Sequence, residues 1–429
     1  MNATPQTQTQ AARPSADAPA PRIAIVVHRL GGGGDQRTAI ILANALAQRG
    51  FAVDLLSSRV LERSAQRVRP GVRLLTLPES GWIASRLLAL RADWAGIGAN
   101  FRALASAEKV LPGFRMMPAI AGYFREWRPD AIYAVGPIMG LACLFARRLS
   151  GTAGRLVMSE RVAWGGWEDR EVRAGRIVRA VRRAYLEADH VVSVSTGLAD
   201  DIARRLDIPR ARIAVTYNPV NLPVLGAMAA EKVEHPWFED RSVPLILGVG
   251  RLSKQKDFAT LVRAVAEVRR TRRVRLALIG DADRTGKDRK ERARLLDLAG
   301  DLGLGDDLTL IGFQSNPYRF MARASMLVSS SRMEGFSNVI LEALACGTPV
   351  VSTDCPFGPA EILDRGAYGR LVPVGEHLAM AEAVLATLDN PPSPATLIAR
   401  ARQFDFEDWV ANKTAELTGG TAASRPKAA

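Results

Sequence analysis

SSSRMEGFSNVILEALACGTPVVSTDCPFGPAE, running from Ser329 to Glu361, decides how the rest of the chain is read. Its pattern is strand, loop, short helix, loop, strand. A helix through Val339–Ala345 stops at Gly347, and Pro349 follows where a helix cannot continue. Val350 and Val351 then open an apolar run suited to a buried parallel strand. Ser337 or Asn338 is placed to cap the helix start, since a short side-chain oxygen accepts an orphan N–H there. The free N–H groups and the positive end of the helix dipole make this start an anion site. Glu334 and Glu342 flank it. Carboxylates repel phosphate but accept hydrogen bonds from hydroxyls. Phosphate beside a polyol describes a sugar nucleotide.

Working outward, the length of 429 residues suggests two or three domains at roughly 100–200 residues each. Hydrophobic content of 48% with 24% charged residues fits a soluble globular chain with sizeable cores. Cys143, Cys346 and Cys355 form neither a disulfide framework nor a CxxC pair, which fits a reducing, cytoplasmic compartment. His28, His190, His235 and His377 are scattered, and no metal or other cofactor is expected. The net charge of +14 implies an anionic partner or surface. No zinc finger or basic–aromatic RNA motif accompanies it, so nucleic acid is not expected as a partner. No apolar run reaches the ~18–20 residues of a membrane span. Residues 1–21 lack the charged start and apolar stretch of a secretory signal and are expected to be disordered.

The chain alternates strands and helices twice. RIAIVV (Arg22–Val27) reads as a first buried strand, followed by Leu30-Gly31-Gly32-Gly33-Gly34-Asp35-Gln36-Arg37 and an amphipathic helix over Thr38–Arg49. Phe51–Ser57 is the next strand, which completes the opening βαβ unit of a doubly wound sheet. As a dinucleotide fingerprint the glycine loop is weak, because no clean GxGxxG is present and the second strand ends without an acid. Trp82–Trp127 is helical in pattern and mixes Trp82, Trp94, Phe101, Phe114, Met116 and Met117 with Arg86, Arg91, Arg102, Lys109 and Arg115. Such a segment can lie on an anionic membrane surface, or it can be a set of sheet-covering helices with solvated arginines. Both readings stand at this stage. The predicted organisation is a disordered segment at 1–21, an α/β domain at 22–220, a linker at 221–243, a second α/β domain at 244–392, a closing helix at 393–417 and a loose tail at 418–429.

In the second half, the strand Leu245–Val249 ends in Gly250-Arg251-Leu252-Ser253-Lys254-Gln255-Lys256. Arg251 and Lys256 lie just past a strand's carboxyl end, where open α/β sheets bind ligands. A planar donor fork and a point charge both suit a diphosphate and would stabilise it as a leaving group.

GVGRLSKQKDFATLVRAV followed by SSSRMEGFSNVILEALACGTPVVSTDCPFGPAEIL resembles the signature of the retaining glycosyltransferases of family 4. LGGGGDQRTAIILANALAQRGFAVDLLSS resembles that family's N-terminal glycine loop, and ADHVVSVSTGLADDIARR with VTYNPVN its strands before the linker. The resemblance spans about Arg22 to Leu388 and implies the GT-B fold, two Rossmann-like parallel-sheet domains facing across a cleft. It implies that Arg251 and Lys256 hold the donor diphosphate, with Gly250 beside them. Glu334 would face the donor sugar, and Glu342 the ribose. The backbone of Gly335, Phe336, Ser337 and Asn338 would meet the phosphates, and Gly312-Phe313-Gln314 would border the base. Gly33 and Gly34 would approach from the other domain. The implied reaction moves a hexosyl unit from a nucleotide diphosphate sugar to a glycan or lipid-linked acceptor with retained configuration, as in surface polysaccharide assembly, in the cytoplasm or at the inner membrane face. Rival readings are a GT-B epimerase and a catalytically silent nucleotide-sugar-binding scaffold. The chain departs from many relatives in carrying Glu160 where they have a histidine. Asp281-Ala282-Asp283 resembles a metal-binding DxD but reads as a polar loop.

Overall fold

Short β-branched runs build two parallel sheets in the computed structural model, which describes residues 20–31, 33–92, 112–162, 173–240, 242–280 and 286–420. Residues 1–19 and 421–429, Trp94, Phe101, Arg102, Lys109 and Asp281-Ala282-Asp283 carry some of the expectations above and lie outside the described residues. The first half supplies β1 (Arg22–Val26), β2 (Arg29–Leu30), β3 (Ala52–Ser57), β4 (Arg59–Val60), β5 (Val72–Thr76), β6 (Ala131–Val135), β7 (Arg155–Glu160), β8 (His190–Ser193) and β9 (Ile213–Val215). Seven of them form one sheet in the order β5-β3-β1-β6-β7-β8-β9, while β2 and β4 pair separately. The second half supplies β10 (Leu245–Val249), β11 (Arg275–Ile279), β12 (Leu308–Gly312), β13 (Met326–Ser329), β14 (Val350–Thr353) and β15 (Arg370–Val372). Their order is β12-β11-β10-β13-β14-β15.

Both sheets are covered on two faces, as parallel sheets require. Along β1, Ile23 and Ile25 join one apolar cluster while Ala24 and Val26 join another. Each sheet starts in its middle and winds outward both ways, reversing between β1 and β6 and between β10 and β13. At such a reversal the outgoing loops diverge and open a crevice at the strands' carboxyl ends. Lys256 follows β10 and Glu334 follows β13, so strand order alone brings their loops together.

Two segments outside the site fold differently from their sequence reading. The closing helix is two helices, Pro394–Arg402 and Phe406–Thr418, broken at Gln403 to Asp405. Asp405 caps the second, accepting from the backbone N–H of Glu407 at 2.7 Å and of Asp408 at 3.1 Å. The first packs in the cluster holding Ile340 and Leu344 of the second domain. The second returns to the first domain, where Trp409, Val410 and Leu417 join Ile23 and Ile25. Lys413 on that helix is 1% exposed and donates to Glu416 at 2.8 Å. Glu416 also accepts from Thr216 of the first domain, and Arg155 Nε donates to its carbonyl at 2.8 Å. The linker at 221–243 carries helices Leu222–Ala230 and Pro236–Glu239. It is tied to the second domain by Asn316 Nδ2 to the Met228 carbonyl at 2.7 Å and Arg323 to the Ala229 carbonyl at 2.9 Å.

In the Trp82–Trp127 segment, Phe114, Met116 and Met117 are core residues at 1% exposure or less. They cannot contact a membrane, and the helix Met117–Trp127 packs on Pro137–Ser150. A mixed apolar and basic composition does not reveal which residues face inward. The helix Trp82–Ala92 is different, since Trp82, Ile83 and Leu87 are 54%, 56% and 62% exposed.

Candidate active site

Lys256 and Glu334 meet at the β10–β13 reversal. Lys256 Nζ donates to Glu334 Oε1 at 2.6 Å, and the Ser331 hydroxyl donates to the same oxygen at 2.7 Å. The supporting loops are stitched by backbone and side chain. The Ser330 hydroxyl donates to the Lys256 carbonyl at 2.8 Å, and Gln255 Nε2 to the Met333 carbonyl at 2.8 Å. The Glu334 N–H donates to the Pro356 carbonyl, and the Phe357 N–H to the Glu334 carbonyl, both at 2.7 Å. The Lys256 stem lies across Gly250, where a Cβ would stand 3.0 Å from Lys256 Cε. Glycine there leaves the lysine its path into the crevice. Arg251, by contrast, is exposed, and its guanidinium reaches Gln255 at 3.5 Å.

The helix Asn338–Ala345 begins directly beyond Glu334. Neither residue expected to cap it does so. Ser337 makes no side-chain cap bond, and its hydroxyl is buried without a partner among the described residues. Asn338 instead accepts from Asn218 of the first domain at 2.7 Å. The first N–H groups of the helix therefore lack a side-chain cap, as an anion-binding helix start requires. Phe336 is 6% exposed and packs near Tyr217 and Phe404 at 5.7 and 5.9 Å between ring centroids. Its ring anchors the loop, so only its backbone can meet a ligand.

The glycine loop reaches this helix from the other side. The first helix starts at Gly34, not Thr38 as expected, and runs to Gln48. Gln36 Oε1 accepts from the backbone N–H of Gly31 at 2.6 Å and of Gly33 at 3.2 Å. Those bonds wind the loop's end into a helical turn that carries Arg37. Arg37 Nη1 donates to Glu342 Oε1 at 3.0 Å, and the Tyr318 hydroxyl donates to the same oxygen at 3.1 Å. Burial pushes the Glu342 carboxyl above its ordinary range, against the pull of Arg37. Glu342, expected to meet a ribose, is thus already engaged by the opposite domain. Phe313 is 43% exposed, with the Arg63 guanidinium 4.7 Å over its ring. Gln314 accepts from Arg319 at 3.3 Å. Gly34 faces Asn338, whose Nδ2 lies 3.6 Å from where a Gly34 Cβ would stand.

Arg37, Tyr318 and Asn218 were not singled out in the sequence. Arg37 ends the glycine loop and Asn218 opens NPVN, so each lies in a quoted motif. What the sequence lacks is any sign of their partners across the cleft. The domains also meet through Glu361, which accepts from the N–H groups of Thr196 and Gly197 at 2.8 and 2.9 Å. Among the described residues, no three His, Cys, Asp or Glu side chains are grouped to hold a metal.

Residues 32–223 match the family described as Glycosyltransferase Family 4, and residues 230–404 match Glycosyl transferases group 1. The chain belongs to glycosyltransferase family 4. Its fold is GT-B, two parallel-sheet α/β domains. This family 4 chain is 32% identical over 206 residues to the N-acetylgalactosamine-N,N'-diacetylbacillosaminyl-diphospho-undecaprenol 4-alpha-N-acetylgalactosaminyltransferase of Campylobacter jejuni, covering 48% of the chain and 52% of that protein. It is 38% identical over 201 residues to the lipopolysaccharide core biosynthesis glycosyltransferase LpsE of Rhizobium meliloti, covering 47% of the chain and 54% of that protein. The chain thus spans about half the length of these relatives. Among solved structures, Anabaena HepE in complex with UDP superposes with a TM-score of 0.74 at 17% identity, covering 93% of this chain and all of that one. Sucrose-phosphate synthase from Thermosynechococcus elongatus superposes at 0.73 with 21% identity, covering 92% and 97%.

Glu160, at the position where the family resemblance implies a histidine, is fully buried, and its carboxylate adds to burial in pushing the Tyr185 phenol well above its ordinary range. Gly335 shows how closely the domains approach. A Cβ there would lie 2.0 Å from the Arg161 carbonyl oxygen, and the Ser195 hydroxyl donates to the Gly335 carbonyl at 2.7 Å. Gly335→Ala is expected to hold the domains apart and slow transfer roughly 10–100-fold through misalignment across the cleft. Steady-state kinetics with a sugar-nucleotide donor check this, and an unchanged rate would show that closure to this distance is unnecessary.

Proposed function

We propose that this chain transfers a hexosyl unit from a nucleotide diphosphate sugar to a glycan or lipid-linked acceptor, with retained anomeric configuration and without a metal. The observation that carries the reading is the Lys256–Glu334 contact of 2.6 Å beside an uncapped helix start. It sets a cation for the diphosphate next to a carboxylate for sugar hydroxyls. The names of the relatives support a surface glycan: one acts on a diphospho-undecaprenol glycan and another in lipopolysaccharide core biosynthesis. The UDP bound to HepE supports a nucleotide in the same fold.

In this reading the helix N-terminus, Lys256 and Arg251 bear the charge that grows on the leaving diphosphate. Glu334 accepts from sugar hydroxyls and fixes the ring. The acceptor oxygen bonds to the anomeric carbon on the face the diphosphate leaves, the carbon–phosphate oxygen bond breaks, and the acceptor proton passes to the departing phosphate oxygen. Incubation of UDP-, GDP- and dTDP-sugars with lipid extract and EDTA should give a product of retained configuration by NMR. An inverted product overturns retention, and loss of transfer with EDTA overturns metal independence. Isomerisation of the donor without acceptor favours the epimerase, and nucleotide binding without product favours the scaffold.

The proposed site of action is the cytoplasmic membrane face. No helix among the described residues is long and apolar enough to cross a membrane. Exposed Trp82, Ile83 and Leu87 on a chain of net charge +14 support surface contact with anionic lipid. The combined variant Trp82→Ser, Ile83→Ser, Leu87→Ser should lose sedimentation with phosphatidylglycerol vesicles, and unchanged sedimentation would rule this surface out.

A further inference from the structure

We propose that Asn218, held by Arg161, is a positioning residue that fixes which end of the Asn338 amide faces the donor diphosphate; this rests on the donor-site reading above. Arg161 Nη2 lies 2.6 Å from Asn218 Oδ1. A guanidinium carries donors only, so the atom it meets must be the amide oxygen. That orients Asn218 and turns its Nδ2 outward. Nδ2 then donates to Asn338 Oδ1 at 2.7 Å. With its oxygen occupied, Asn338 must turn its own NH2 the other way, toward the glycine loop, where a Gly34 Cβ would stand 3.6 Å from it. An amide can normally be flipped without changing its shape. Here one cation at the head of the relay removes that choice at both amides. Asn218 is 5% exposed, so water is poorly placed to take over a broken link.

The relay ends at the first residue of the Asn338–Ala345 helix, the start assigned to the phosphates. Its outcome is one more N–H donor there, added to the uncapped backbone N–H groups. The reverse orientation would aim a carbonyl oxygen at the same anion. Arg161 and Asn218 belong to the first domain and Asn338 to the second. The donor is therefore set by domain closure, which couples the first domain to the grip on the leaving group.

The test is a double-mutant cycle read by calorimetry with UDP, GDP, ADP, CDP and dTDP, each beside its nucleoside. Asn218→Asp keeps Arg161 paired and is isosteric, but it draws the Asn338 NH2 toward itself and leaves a carbonyl facing the phosphates. It should weaken the bound nucleoside diphosphate about tenfold while changing nucleoside affinity by less than about twofold. Asn338→Asp supplies a second variant, because a carboxylate oxygen still accepts from Asn218 while the donor is gone. It should show a loss at least as large. In an Asn338→Ala background, Asn218→Asp should add no further loss. If the loss persists there, the added charge and not the relay causes it, and the proposal falls. No loss in the Asn338-containing protein also overturns it. If the unaltered protein binds none of the diphosphates, the donor-site reading fails first and takes the relay with it.

Discussion

Glu334→Gln should leave a folded protein whose kcat/KM for transfer is lower by at least ~100-fold, because an ionised acceptor on the sugar is lost where the reacting carbon is held. The substitution preserves volume, and a glutamine oxygen can still accept from Ser331 and Lys256, which donate to Glu334 at 2.7 and 2.6 Å. The backbone bonds from Glu334 to Pro356 and from Phe357 to Glu334 do not involve the side chain. A stability loss of about 1–2 kcal/mol is expected, well short of unfolding. Lys256, relieved of its counter-charge, becomes a freer partner for phosphate. Affinity for a nucleoside diphosphate should hold or improve while transfer collapses. Calorimetry beside steady-state kinetics separates these two effects. Full activity in the variant would remove Glu334 from the chemistry, and a parallel loss of nucleotide affinity would assign it to ground-state binding instead.

Lys413→Ala should produce the largest loss of stability, about 3–5 kcal/mol, by leaving a buried carboxylate without its cation. Lys413 and Glu416 are 1% and 6% exposed, and the ammonium also lies 5.7 Å from the centroid of the Tyr133 ring. With Lys413 gone, Thr216 remains as the side-chain donor to Glu416. Replacing both members, as Lys413→Met with Glu416→Leu, removes the stranded charge together with its partner and should recover most of the loss. Urea unfolding of the single and double variants measures the difference. A cost under about 1 kcal/mol for Lys413→Ala would mean that solvent reaches Glu416 freely. No residue of the assigned site is touched, so activity per folded molecule should be unchanged.

The elements that could be read in the sequence were those whose partners lie close along the chain. Val350 and Val351 announce a buried strand by type alone, and Lys256 and Glu334 sit at short, fixed distances past strand ends. The two parallel-sheet α/β halves follow from the alternation, which puts every such loop on one edge, whereas the GT-B arrangement is legible only through the family resemblance. Arg37 and Glu342 are 305 residues apart and meet only when two domains close. Helical periodicity reports which face is apolar, not what lies opposite. The same limit hid Arg161, Asn218 and Tyr318. The break before Phe406 did leave a trace, since Asp405 followed by Glu407 and Asp408 is a helix-start pattern. It was overridden by the continuous helical run on either side. In the Trp82–Trp127 segment the mixture of arginine, tryptophan and methionine was visible, but burial of Phe114, Met116 and Met117 depends on packing against Pro137–Ser150 and the first sheet.

The return of the last helix to the first domain gives the molecule two covalent crossings instead of one. They run side by side: Val220 and Asp405 form a parallel bridge, and the Val220 N–H donates to the Phe404 carbonyl at 2.8 Å. A single tether would let the halves swivel about it in any direction. Two tethers bonded to each other define an axis, as two pins do for a door. Motion about that axis draws Arg37 and Glu342 together or apart, while twisting would shear the bridge. The crevice therefore opens along one path, and a chain cut after Arg402 would lose that guidance along with the apolar face that Trp409 and Val410 cover.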